Sequence, residues 1–152
     1  MASGDGNSRL FSGTDHRLAE GVRGATLLTP NVPELARLVG RELSSRDAAI
    51  AAASELSTRG PAVLLKTGHL PHADTLVDVL AVRGEARELA PLPAVSEDVR
   101  GTGCQLSSAI VCGLASNLPM LEAVEAARRY LNDRLFVAVR LGKGRAIVVR
   151  PQ

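Results

Sequence analysis

Two short aliphatic runs limit the possible folds of this chain more than any other feature. They are ATLLT at 25–29, stopped by Pro30, and AVLLK at 62–66. Each is a compact apolar segment of the length that suits a buried strand. Between them the pattern turns helical. Asn31 can cap a short helix through Val39 that ends at Gly40, and Ser44, Ser45 and Asp47 open a second helix, AAIAAASEL, closed by Arg59 and Gly60. Strands alternating with helices indicate an α/β layered domain with a mostly parallel sheet, and such sheets place ligands beyond the carboxyl ends of their strands.

The rest of the chain extends this alternation. Thr75 to Val82 and Ala86 to Leu89 flank Arg83-Gly84-Glu85, which predicts two antiparallel strands and a tight turn at a sheet edge. The connector PLPAVSEDVR leads to a glycine loop and a helix that runs to about Ser116. Asn117, Leu118 and Pro119 break the pattern. A long helix from Pro119 to about Val139 follows, with Met120, Leu121, Val124, Ala127, Leu131 and Leu135 on one side, and Glu122, Glu125, Arg128 and Arg129 on a solvated face. The tail LGKGRAIVVRPQ adds a last short strand. Residues 1–14 offer no periodicity, and 15–22 allow a short helix.

Composition narrows the function classes. The 152 residues, 45% of them hydrophobic, suffice for one domain with a real core. No stretch approaches the roughly 18 consecutive apolar residues of a membrane span, and MASGDGNSRL lacks the apolar core of a signal peptide, so a cytoplasmic location is expected. Cys104 and Cys112 have no CxxC or Cys/His company, which predicts neither a disulfide nor a structural zinc. A net charge of +2 without a basic block, one Tyr, two Phe and no Trp argue against nucleic-acid binding. Any adenine ring bound here would lie against aliphatic side chains.

Gly101 to Ile110, GTGCQLSSAI, carries the strongest chemical signal. Gly101 and Gly103 allow conformations that turn successive N–H groups into one concavity, and Leu106, Ala109, Ile110 and Leu114 read as the helix that follows. Cys104 then stands at the positive end of that helix, where a thiolate is favoured. A glycine-rich turn ending in a buried, inert cysteine fits the same residues. Asn31 and Glu34 read, from the residues alone, as an N-cap with a first-turn charge. Lys66 reads as a phosphate-neutralising group or as a solvated strand end. His69 and His72 are separated by Pro71 in an apparent loop, which argues against a metal pair, and Cys112 reads as core packing.

Three segments, TPNVPELARLVG at 29–40, VLLKTGHL at 63–70 and GTGCQLSSAI at 101–110, together resemble the hydroxymethylpyrimidine and phosphomethylpyrimidine kinases of thiamine biosynthesis, within the ribokinase-like superfamily. The tail LGKGRA at 141–146 is similar to that family's glycine-rich C-terminal end. The likeness covers essentially the whole chain, residues 1–152, as a single partial domain. MASGDGNSRLF resembles the middle of those kinases, so the N-terminal half of the layered α/β/α fold has no counterpart here.

The resemblance implies ATP and Mg²⁺ as cofactors. It implies phosphorylation of hydroxymethylpyrimidine or its monophosphate, with a pyridoxal-type kinase as a close variant. It assigns Gly101, Thr102, Gly103 and Cys104 to an anion hole for the γ-phosphate, with Cys104 taking the proton from the acceptor hydroxyl. Asn31 and Glu34 match an NxxE pattern that helps hold Mg²⁺ through water. Lys66, Thr67 and Gly68 stand where the family usually has KGG, at the nucleotide, and Thr67 adds a side chain where the backbone approaches it. Gln105 replaces a frequent threonine.

Two other readings follow from the missing half. The chain is a non-catalytic nucleotide- or phosphate-binding remnant that needs a partner, or Met1 is not the true start of a full-length kinase. A sheet cut in its middle exposes an edge and apolar faces, which predicts a homo-oligomer or association with a chain that supplies the other half.

Overall fold

The computed structural model describes residues 22–67, 75–93, 99–140, 142, 144 and 146–147. The predicted helix at 15–22 lies outside these residues apart from Val22, which opens a 3-10 turn, Val22–Gly24. Gly68, His69 and His72 also lie outside them. The chain divides into two compact units, Met1–Pro91 and Leu92–Gln152.

In the first unit, β1 (Leu27–Leu28) leads through Pro30 into α1 (Val32–Val39), which Gly40 ends in a left-handed conformation, φ 69°. Next come α2 (Arg46–Ser57), capped by the Ser45 hydroxyl, and β2 (Ala62–Leu65), all four residues of which are buried. The short strand β3 (Thr75–Leu76) precedes a hairpin of β4 (Val79–Val82) and β5 (Glu85–Glu88). The sheet order is β1-β2-β4-β5. The β1–β2 pair is parallel, with Leu27 opposite Ala62, and the two pairs beyond it are antiparallel. This part of the sheet is therefore mixed, because the hairpin supplies its far edge.

One layer of helix covers one face. Leu35 from α1 and Ala49, Ala52, Ala53 and Leu56 from α2 form a core with Val63, Leu65, Val79 and Ala81. Alanines on α2 allow the helix to lie close to the sheet. The predicted hairpin is present, and its turn residues Arg83 and Gly84 both have positive φ, 52° and 89°, as a two-residue turn requires. The first hairpin strand is shorter than expected. It begins at Val79 instead of Thr75, with Val77 and Asp78 lying between β3 and β4 and bonded to Thr67.

The second unit holds β6 (Leu92–Pro93), β7 (Val99–Arg100), α3 (Thr102–Ala115), α4 (Met120–Leu135) and β8 (Ala146–Ile147). Strand β7 pairs in parallel with β8, Val99 opposite Ala146. Helices α3 and α4 pack on each other where Gly113 meets Ala123. A Cβ built on Gly113 would lie 3.0 Å from the Ala123 Cβ.

Three sequence expectations need correction here. Helix α4 stops at Leu135, short of Val139, because Val139 exchanges both backbone hydrogen bonds with Ile147 at 3.0 Å. Arg128, expected on the solvated face, is 4% exposed. It falls one turn after the buried Val124 and one turn before the buried Asn132, so it shares their inward face. Cys112, expected in the core, is exposed.

Candidate active site

In the first unit the chain brings Asn31, Glu34, Lys66 and Thr67 together at the carboxyl ends of the parallel strands β1 and β2. Asn31 pairs with Lys66 in an isolated parallel bridge, and the Lys66 N–H donates to the Pro30 carbonyl at 2.9 Å. Asn31 and Glu34 form a reciprocal cap on α1. The Glu34 N–H donates to Asn31 Oδ1 at 2.8 Å, and the Asn31 N–H donates to Glu34 Oε2 at 2.8 Å. Lys66 Nζ lies 3.8 Å from the same Oε2. The capping reading of Asn31 and Glu34 is thus correct in full, and it leaves a carboxylate and an ammonium side by side at a strand end.

This donor set suits one kind of cation. Asn31 Oδ1 is engaged by the helix, whereas Glu34 Oε1 accepts no hydrogen bond among the described residues. No group of three or more His, Cys, Asp or Glu is clustered among the described residues. A hard divalent ion that keeps most of its waters fits one accessible carboxylate.

Thr67 is held by both its hydroxyl and its amide. Its side chain is buried, 6% exposed, with Oγ1 donating to the Val77 carbonyl at 3.0 Å, and its N–H donates to Asp78 Oδ1 at 3.0 Å. The added side chain therefore turns into the protein. Sequence reasoning passed over Asp78, which is 9% exposed. The available signal was a lone carboxylate inside the apolar run TLVDVLAV.

In the second unit Gly101 adopts φ 85°, ψ 4°, a left-handed conformation that admits glycine readily, and stands as the N-cap of α3. Its carbonyl accepts the Gln105 N–H at 3.1 Å. No side chain caps this end, so the first-turn N–H groups of Thr102, Gly103 and Cys104 have no partner within the helix. Cys104 is exposed beside them. Leu106 and Ile110 are buried, which anchors the helix behind the loop. The arrangement places first-turn N–H groups without an intrahelical partner and one exposed thiol at one helix end.

Comparison with known proteins puts these features in a family context. Residues 1–149 match the family model for phosphomethylpyrimidine kinase. The hydroxymethylpyrimidine/phosphomethylpyrimidine kinase of Rhizobium meliloti (strain 1021) is 39% identical over 137 residues, which cover 82% of this chain and 48% of that protein. Among solved structures, the pyridoxal kinase of Bacillus subtilis in complex with ADP superposes with a TM-score of 0.76 at 28% identity, over 86% of this chain and 54% of that one. Phosphomethylpyrimidine kinase from Clostridium difficile 630 gives 0.69 at 30% identity, over 88% and 53%. The chain spans about half the length of the relatives it matches. Its α/β architecture is that part of the ribokinase-like fold.

Proposed function

The chain belongs to the phosphomethylpyrimidine kinase family, and from that membership we propose that it carries the nucleotide side of an ATP-dependent pyrimidine kinase of thiamine biosynthesis, residues 1–152 being one partial domain. The acceptor is hydroxymethylpyrimidine or its monophosphate. The observation that supports this reading best is the Glu34–Lys66 pair at the ends of the parallel strands, 3.8 Å apart, where ligands of such sheets bind.

Phosphoryl transfer is mostly positioning and charge neutralisation. Lys66 offers an ammonium to phosphate oxygens, and Glu34 would hold Mg²⁺ through water. Held there, such an ion would supply positive charge against the phosphates. In the second unit, taken by itself, the N–H groups of Thr102, Gly103 and Cys104 would receive an anion such as the γ-phosphate, as in the family it resembles. Cys104 Sγ takes the proton from the acceptor hydroxyl as that oxygen bonds to the γ-phosphorus and ADP departs.

A coupled assay for ADP release with hydroxymethylpyrimidine, its monophosphate and pyridoxal tests the reading. Release with either pyrimidine supports it. Release with pyridoxal alone favours the second reading, a pyridoxal-type kinase, which the likeness to the Bacillus subtilis structure supports. Release with none of them, in the chain and in any longer polypeptide containing it, would sink both. The half-length match favours activity that requires the remainder of the fold, supplied by further chain, a second copy or a partner. Cys104→Ala is expected to lower turnover by about a hundredfold or more and to leave nucleotide affinity within about twofold. Turnover equal to the wild type would remove Cys104 from the base role.

A further inference from the structure

We propose that Asp78 is a positioning residue for Lys66, acting through the backbone of Thr67. The proposal rests on the kinase reading above and extends it to a residue that reading does not use. Lys66 leaves β2 just where its ladder with β4 ends, the last pair being Leu65 opposite Val79. On the β1 side its backbone is held by the bond from its N–H to the Pro30 carbonyl at 2.9 Å. On the β4 side two side-chain bonds do what the ladder no longer does. Asp78 Oδ1 accepts the Thr67 N–H at 3.0 Å, and Thr67 Oγ1 donates to the Val77 carbonyl at 3.0 Å.

The receiving segment is itself anchored, since the Asp78 carbonyl accepts the Leu89 N–H at 2.9 Å. Residue 67 is thus clamped by its amide and by its hydroxyl, in a buried setting where a carboxylate acceptor strengthens the bond. The ion pair with Glu34 is too weak to do this work. It is 3.8 Å long, its side chains are 23% and 39% exposed, and such pairs hold little. The backbone on either side of Lys66 therefore aims its long side chain.

The test uses the 152-residue chain, with Mg²⁺ and AMP-PCP as the probe. Asp78→Leu keeps the branched shape, at a gain in volume, and removes the acceptor, whereas Asp78→Asn keeps an acceptor oxygen. Calorimetry is expected to show about tenfold weaker binding in Asp78→Leu and a change within about twofold in Asp78→Asn. Amide hydrogen exchange at Thr67 should quicken in the leucine variant alone. A residue that only contributed stability would lower the melting temperature and leave affinity unchanged in the folded protein. Unchanged affinity in folded Asp78→Leu, or an equal loss in Asp78→Asn, overturns the proposal while the kinase reading stands. No binding by the wild type, alone and within any longer polypeptide containing it, overturns the kinase reading, and this one with it. If Asp78→Leu does not fold, Thr67→Val, which deletes only the hydroxyl bond, is expected to weaken binding about threefold. Wild-type affinity there overturns the proposal.

Discussion

Glu34 caps its helix, and in the function proposed above it also serves a hydrated Mg²⁺; the two roles can be separated by one atom. Glutamine at this position keeps an oxygen that accepts the Asn31 N–H, and the capping box admits it. Glu34→Gln is therefore expected to change stability by no more than about 0.5 kcal/mol in a denaturant titration. In calorimetry it should remove most of the gain that Mg²⁺ brings to AMP-PCP binding. A Mg²⁺ dependence equal to the wild type would confine Glu34 to the cap. At this scale the sequence was legible where chemistry is local. The spacing of Asn31 and Glu34 showed a cap, and the cap is there. Thr67 and Asp78 were not legible as a pair, because the contact spans eleven residues and no short motif encodes it.

Most element ends follow their local cap signals, although α2 ends at Ser57 with Thr58 as its cap, ahead of the expected Arg59 and Gly60. Asn31, Ser45 and Gly40 bound their helices as expected, and Gly101 opens α3. Helix α4 has no side-chain cap at its start, and its far end is set by the distant pairing of Val139 with Ile147, which periodicity cannot show. Which side of α4 is buried was misread at Arg128 for the same reason. Two glycines carry the packing predictions. At Gly113 a larger side chain would press on both Cα and Cβ of Ala123, at 3.2 and 3.0 Å, so Gly113→Val should cost about 1–3 kcal/mol in urea unfolding. Gly84 has φ 89°, its N–H donates to Ser57 Oγ at 2.8 Å, and a Cβ would meet Thr58 Cγ2 at 3.1 Å. Gly84→Ala is expected to cost about 1–2 kcal/mol, mostly from the left-handed backbone. Wild-type midpoints in either variant would contradict the packing described.

For the molecule as a whole, ligand linkage gives the broadest check. Nucleotide that binds the folded chain alone must raise its melting temperature, by an amount equivalent to about 2.7 kcal/mol at a hundred times Kd. Mg²⁺ with AMP-PCP is expected to do so, and inorganic sulfate at the same ionic strength is not. Phe136 and Val137 are 60% and 55% exposed, so concentration-dependent sizing is expected to show self-association. The family and the α/β class were legible because short motifs in a fixed order carry them. The mixed edge of the first sheet was legible only as a hairpin, since strand order depends on pairings between distant segments. The cap on α1 has a last consequence, for descent. Loss of Asn31 or Glu34 loosens a helix whether or not the protein still turns over substrate. Selection for solubility alone would keep both letters in a lineage that had abandoned its chemistry. Cys104, exposed and with no side-chain cap bond to its helix, has no such shelter, and under the base role proposed for it its fate among descendants would date the end of catalysis.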